Sequence, residues 1–95
     1  MADQKNMQIK ASDEALKGTY ANLMQVSHLK EEFILDFMNV YPFQGIGTLN
    51  ARVIVSPSHY KRMVAAMQEN LKRYEETHGT IAAGDAPSAE VGFQA

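Results

Sequence analysis

The run Val53-Ile54-Val55-Ser56-Pro57-Ser58-His59-Tyr60 constrains the fold more than any other stretch, because within it the spacing of apolar side chains changes from about two to about 3.6 residues. A strand hands over to a helix there. Ser56 carries a hydroxyl able to take an unpaired first-turn N–H. Pro57 suits the first helical position, where its missing N–H costs nothing and its fixed φ is already helical. Tyr60, Met63, Val64, Met67, Leu71 and Tyr74 then recur on one side up to His78, and Gly79 supplies the stop. The spacing predicts a helix over 57–78. At about 1.5 Å per residue it would run roughly 33 Å, long enough to lie across a sheet of about ten-residue strands from end to end.

Ahead of the junction the pattern reads as four strands. Met7 to Ser12 alternates weakly, as a short edge strand, and Asp13 to Gly18 is a polar turn closed by a glycine. From Thr19 to His28, Tyr20, Met24 and Val26 fall on one face while Ala21 and Leu23 fall on the other; Ser27 to Glu31 is a polar break short enough for a hairpin. Glu32 to Tyr41 has the strongest strand pattern, with Phe33, Leu35, Phe37 and Tyr41 on one face and Ile34, Met38 and Val40 around Asp36 on the other. Pro42 to Gly47 reads as a loop, and Leu49, Ala51, Val53 and Val55 alternate as the last strand. By parity Asp36 and Arg52 share a face and can pair across the hairpin. The expected fold class is α+β, a four-stranded antiparallel sheet followed by one long C-terminal helix. Residues 7–79 would form the domain, 1–6 a flexible N-terminus, and 80–95, rich in Ala and Gly, a disordered tail.

A chain of 95 residues buries only about 60 to 70% of its unfolded surface. Without cysteine it has no disulfide and no thiolate metal site to reinforce it, so help from another subunit is expected. The polar start, Met1 to Asn6, lacks an apolar leader core, and nowhere does an apolar run approach the roughly 18 residues of a membrane span; a cytoplasmic protein without membrane contact is expected. Formal net charge is −2 with both signs interspersed, which gives nucleic acid no overall attraction.

Should the helix cover the Phe33 face, then Met24, Val26, Ile34, Met38, Val40 and Ile54 are left as an apolar surface larger than soluble monomers usually expose. These six residues are the expected protein interface, taken by a second copy in a homodimer or higher even oligomer, or by other proteins or peptides. The methionines suit an adaptable binding surface. A second candidate is the start of the helix, where Ser58, His59, Lys61 and Arg62 could hold an anion: cations there oppose the helix dipole unless something negative lies between them. His28, His59 and His78 form no metal motif. Neither Ser27-His28 nor Ser58-His59 has a flanking acid, and Gly45-Ile46-Gly47 precedes a strand and reads as a turn. No catalytic residue, metal or cofactor is expected.

The runs Gly18-Thr19-Tyr20-Ala21-Asn22, Gln25-Val26-Ser27-His28, Glu31-Glu32-Phe33-Ile34-Leu35-Asp36-Phe37, Ala51-Arg52-Val53-Ile54-Val55-Ser56-Pro57 and Gln68-Glu69-Asn70-Leu71 together resemble the small prokaryotic family called domain of unknown function 3467, over residues 8–78. That resemblance implies no activity. The order of four strands and a helix is also similar to the topology of the bacterial export chaperone SecB, an oligomer that holds unfolded chains. The functional expectation is a non-enzymatic, oligomeric protein-interaction module with chaperone-like binding, the alternative being anion or nucleic-acid binding through the helix N-terminus.

Overall fold

Three antiparallel strands lie side by side in chain order in the computed structural model, which describes residues 6–87 and 91–94. They are β1 (Leu23–Leu29), β2 (Glu32–Tyr41) and β3 (Ile46–Val55), preceded by a short helix α1 (Asp13–Lys17) and followed by the long helix α2 (Pro57–His78). The two connections are hairpin turns. Lys30-Glu31 joins β1 to β2 with Leu29 opposite Glu32. Between β2 and β3, Pro42 to Gly45 turns with the Gln44 and Gly45 N–H groups both donating to the Tyr41 carbonyl at 3.0 Å. Gly45 takes the left-handed conformation, φ 67°, that this turn requires.

The sheet therefore has three strands, not four. Residues 6–12 form no strand, and the polar turn expected at 13–18 is one turn of helix. Ser12 caps it, its hydroxyl accepting the Ala15 N–H at 3.1 Å, and Asp13 and Glu14 at the start with Lys17 at the end suit its dipole. Local capping outweighs the weak alternation of Met7 and Ile9, which have no neighbouring strand to bury them. β1 starts at Leu23 instead of Thr19, and Asn22 continues the pairing with both backbone and side chain: its backbone N–H donates to the Met38 carbonyl at 3.0 Å. Its Nδ2 donates to the Val40 carbonyl and its Oδ1 accepts the Val40 N–H, both at 2.9 Å. Asn50 donates to the Tyr20 carbonyl at 2.7 Å and latches the incoming arm. His28, expected in the break, lies within β1 opposite Phe33. The N-terminal stretch expected to be flexible lies, except for Asn6, outside the described residues.

Register assigns the faces. On one stand Met24–Phe37–Ala51, Val26–Leu35–Val53 and His28–Phe33–Val55; on the other stand Leu23–Met38–Leu49, Gln25–Asp36–Arg52 and Ser27–Ile34–Ile54. Between Phe37 and Met38 the pairing shifts and Asn50 is left over as a bulge, so Leu49 and Ala51 fall on opposite faces, against the simple alternation read from the sequence. Beyond the bulge Gly47 lies opposite Val40, and a Cβ there would meet Val40 Cγ1 at 2.8 Å and the Asn39 carbonyl oxygen at 3.1 Å. Gly47→Ala is expected to cost about 1–2 kcal/mol by overpacking, read as a fall of several degrees in thermal melting. Gly92→Ala, in open space, should leave melting unchanged; equal melting of both variants would refute the close approach.

Helix α2 starts where the sequence places it. The Ser56 hydroxyl accepts the His59 N–H at 3.2 Å, and at the other end Gly79, φ 90°, donates its N–H to the Glu75 carbonyl at 2.9 Å. The helix meets the Phe33 face at its first turn: the Tyr60 ring stacks on Phe33, centroids 4.0 Å apart and 2° from parallel. Met63 and Val64, on the same side of the helix, are half-buried. From there the helix parts from the sheet, and Met67, Leu71 and Tyr74 remain 54%, 46% and 49% exposed. It does not cover the sheet from end to end, although its length would allow it. The radius of gyration, 16.7 Å, is well above the ~12 Å of a compact chain this long. Among the described residues only Leu35 and Met38, each 2% exposed, are buried apolar side chains, one on each face.

Candidate interaction surfaces

Behind the sheet, on the face away from α2, the tail returns. Pro87, Val91, Gly92 and Phe93 border a groove of about 260 Å³ whose floor includes Leu23, Met38, Val40 and Leu49. Beside it lies the expected ion pair: Arg52 Nε donates to Asp36 Oδ1 at 2.6 Å and Nη2 to Oδ2 at 3.0 Å, a two-pronged fit that only a guanidinium makes. Asp36 is 6% exposed. The hydrogen bonds from Arg52 hold its carboxyl below the usual carboxylate range, the Arg52 charge adds to this, and burial works against it; Arg52 is raised by the same bonds. The Phe93 ring sits over the guanidinium, 5.4 Å from Cζ to centroid, as a cation–π cap.

The six residues expected to form one interface divide between two faces. Ile34, Met38, Val40 and Ile54 stand on the tail side, Met38 and Val40 in the groove itself and Ile54 exposed. Met24 and Val26 stand on the α2 side, opposite Phe37 and Leu35. The tight Lys30-Glu31 turn decides this: with Leu29 set opposite Glu32, every even-numbered β1 residue faces an odd-numbered β2 residue. Met24, Val26 and Val53 are consequently part-exposed on the area that α2 leaves open.

At the start of α2 the structure brings Ser58, His59 and Arg62 together. Arg62 Nη2 approaches His59 Nδ1 at 3.4 Å, and the Ser56 and Ser58 hydroxyls are 3.4 Å apart. Ser56 already accepts the His59 N–H, one of the donors an anion would use there. Lys61 forms no hydrogen bond or ion pair among the described residues and does not join the cluster.

A family model described as Protein of unknown function (DUF3467) matches residues 1–83. The chain belongs to that family. The matched span takes in the sheet, both helices and the asparagine latches, and it ends before Pro87, Val91 and Phe93. Neither the curated proteins nor the solved structures contain a match. The likeness to the export chaperone SecB thus gains no support, and the three-stranded sheet lacks one of the four strands on which it rested.

In this DUF3467 member the histidines lie against aromatic rings or Arg62. His28 is 5.3 Å from Phe33 and His78 4.8 Å from Tyr74, between ring centroids. Among the described residues no three His, Asp or Glu side chains are grouped to hold a metal ion, and no helix is long and apolar enough to cross a membrane. Sequence reasoning missed Leu23, Leu49 and Phe93 as groove residues. The bulge hid Leu49, and an aromatic in a tail without periodicity gives no signal of where it docks.

Proposed function

We propose that this protein is a non-enzymatic, self-associating interaction module that holds an extended apolar segment of another protein, in chaperone-like fashion, in the groove behind the sheet. The observation that carries the reading is the tail: Val91, Gly92 and Phe93 of the chain itself line the groove against the sheet, with the Phe93 ring over Arg52. A segment of another protein carrying an aromatic residue would find the same apolar floor and the same cation. Self-association is supported by how little the chain buries alone.

The tail competes with any such segment at the high effective concentration of a tether. A fluorescent peptide copying residues 86–94 is therefore expected to bind the Phe93→Ala chain at least about tenfold more tightly than the unaltered chain, measured by anisotropy. The same peptide with its aromatic replaced by alanine should bind neither. Apolar burial predicts that high salt leaves the binding unchanged. Equal affinity for the two chains, or binding lost in salt, would refute the groove as a segment site.

A further inference from the structure

We propose that two copies pair through α2, the helices antiparallel, with Met67 of each helix against Leu71 of the other. This pairing specifies the self-association proposed above and rests on it. Tyr60, Val64, Met67, Leu71, Tyr74 and His78 follow one another at alternating steps of four and three. These positions make one apolar stripe along the helix, of the kind that a second helix lying alongside can bury. The protein's own sheet takes only the beginning of this seam, through the Tyr60–Phe33 stack and the half-buried Met63 and Val64. The remainder borders a shallow groove formed by Met67, Leu71, Tyr74 and Ile81.

Charge identifies the occupant. Lys61 and Glu75 lie four seam turns apart on the same side of the stripe, one at each end. Neither forms an ion pair among the described residues, whereas Glu69 and Arg73 on the outer side of the helix pair at 2.6 Å. Glu75 is held at the seam edge, its Oε2 accepting the Ile81 N–H at 2.8 Å. A stripe with a cation at one end and an anion at the other complements itself when a second copy runs in the opposite direction. Each Lys61 then meets Glu75 of the other copy, twice by symmetry. In a parallel pair Lys61 would stand beside Ser56 and Glu75 beside Asn70, without charge complement.

The antiparallel register centres two Met67–Leu71 layers, flanks each with Val64 against Tyr74, and leaves Tyr60 on Phe33. Gln68 and Asn70 face their own mates across the two-fold axis, amide to amide. The free end of each helix then lies beside the other copy's Val64, over the area where Met24, Val26 and Val53 are part-exposed.

The absence of cysteine makes single-cysteine variants of the full chain selective reporters. A short bismaleimide is expected to link Asn70→Cys into a covalent dimer and not Thr77→Cys, whose mates lie about 24 Å apart along the axis at ~1.5 Å per residue. Light scattering should give the mass of a dimer for the full chain and of a monomer for Leu71→Asp, whose circular dichroism stays unchanged because Leu71 is half-exposed within one copy. Lys61→Glu should raise the dimer Kd roughly three- to tenfold, and Lys61→Glu with Glu75→Lys should restore it to within about twofold. A monomer at every concentration would overturn both this pairing and the self-association reading. A dimer that survives Leu71→Asp, or links through Thr77→Cys and not Asn70→Cys, would overturn the helix pairing alone.

Discussion

Leu35→Ala is expected to remove about 2–5 kcal/mol of folding stability and to lower melting by about 8 °C or more, since about 1 kcal/mol corresponds to roughly 4–8 °C in a domain of this size. Leu35 lies at the middle of the central strand, between Val26 and Val53 and on the face that the start of α2 meets. It is one of only two buried apolar side chains among the described residues, so few neighbours can collapse into the cavity that truncation leaves. A small domain holds about 5–10 kcal/mol in all, which makes this single site a large fraction of the total. Leu29→Ala, at an exposed end of β1, removes the same atoms at little cost. Thermal circular dichroism at one fixed protein concentration compares the two, because a self-associating chain melts at a temperature that depends on concentration. Similar melting of the two variants would mean that the stabilising core lies elsewhere.

Arg52→Met should lower melting by several degrees at pH 7, with a dependence on pH whose sign is informative. In the native protein Arg52 holds the Asp36 carboxyl below its unfolded value of about 3.9. The stabilisation is then fully present above that value and is lost as pH falls through the lower, folded one. The Met side chain keeps much of the stem of Arg52 and removes its donors, so the variant leaves Asp36 buried with its strongest partner gone. Burial then raises the carboxyl above its unfolded value, and the variant loses stability as pH rises through that raised value. The two melting curves should be furthest apart near neutrality and converge towards pH 3. Parallel curves between pH 3 and 7 would show that the pair does not couple to folding. The same substitution removes the cation beneath Phe93 and should loosen the tail, so tail docking and acid stability are expected to change together.

What was legible in the sequence belongs to chemistry acting over a few residues. The start and end of α2 follow from a capping serine, a proline at the first helical position and a terminal glycine, each satisfying or removing a local backbone group. β2 follows from ten residues of uninterrupted strand pattern, and the Asp36–Arg52 pair from parity alone. Misreadings arose where one signal was weak and a neighbour stronger, as at residues 7–18, where Ser12 caps a turn of helix against a faint alternation.

Parity within a strand says nothing about register between strands. Parity alone leaves Met24 and Val26 free to join Ile34 and Met38, and the Lys30-Glu31 turn sets them opposite Phe37 and Leu35. One leftover residue, Asn50, moved Leu49 into the groove.

The sequence by itself determined the order of the last three strands, the long helix and its limits, and the Asp36–Arg52 pair. Only the tertiary structure decided that α2 leaves the sheet after its second turn and that the tail returns to the opposite face. The physical reason is that these outcomes depend on angles and registers between elements far apart in the chain. Such relations are set by packing, and no local run of residues encodes them.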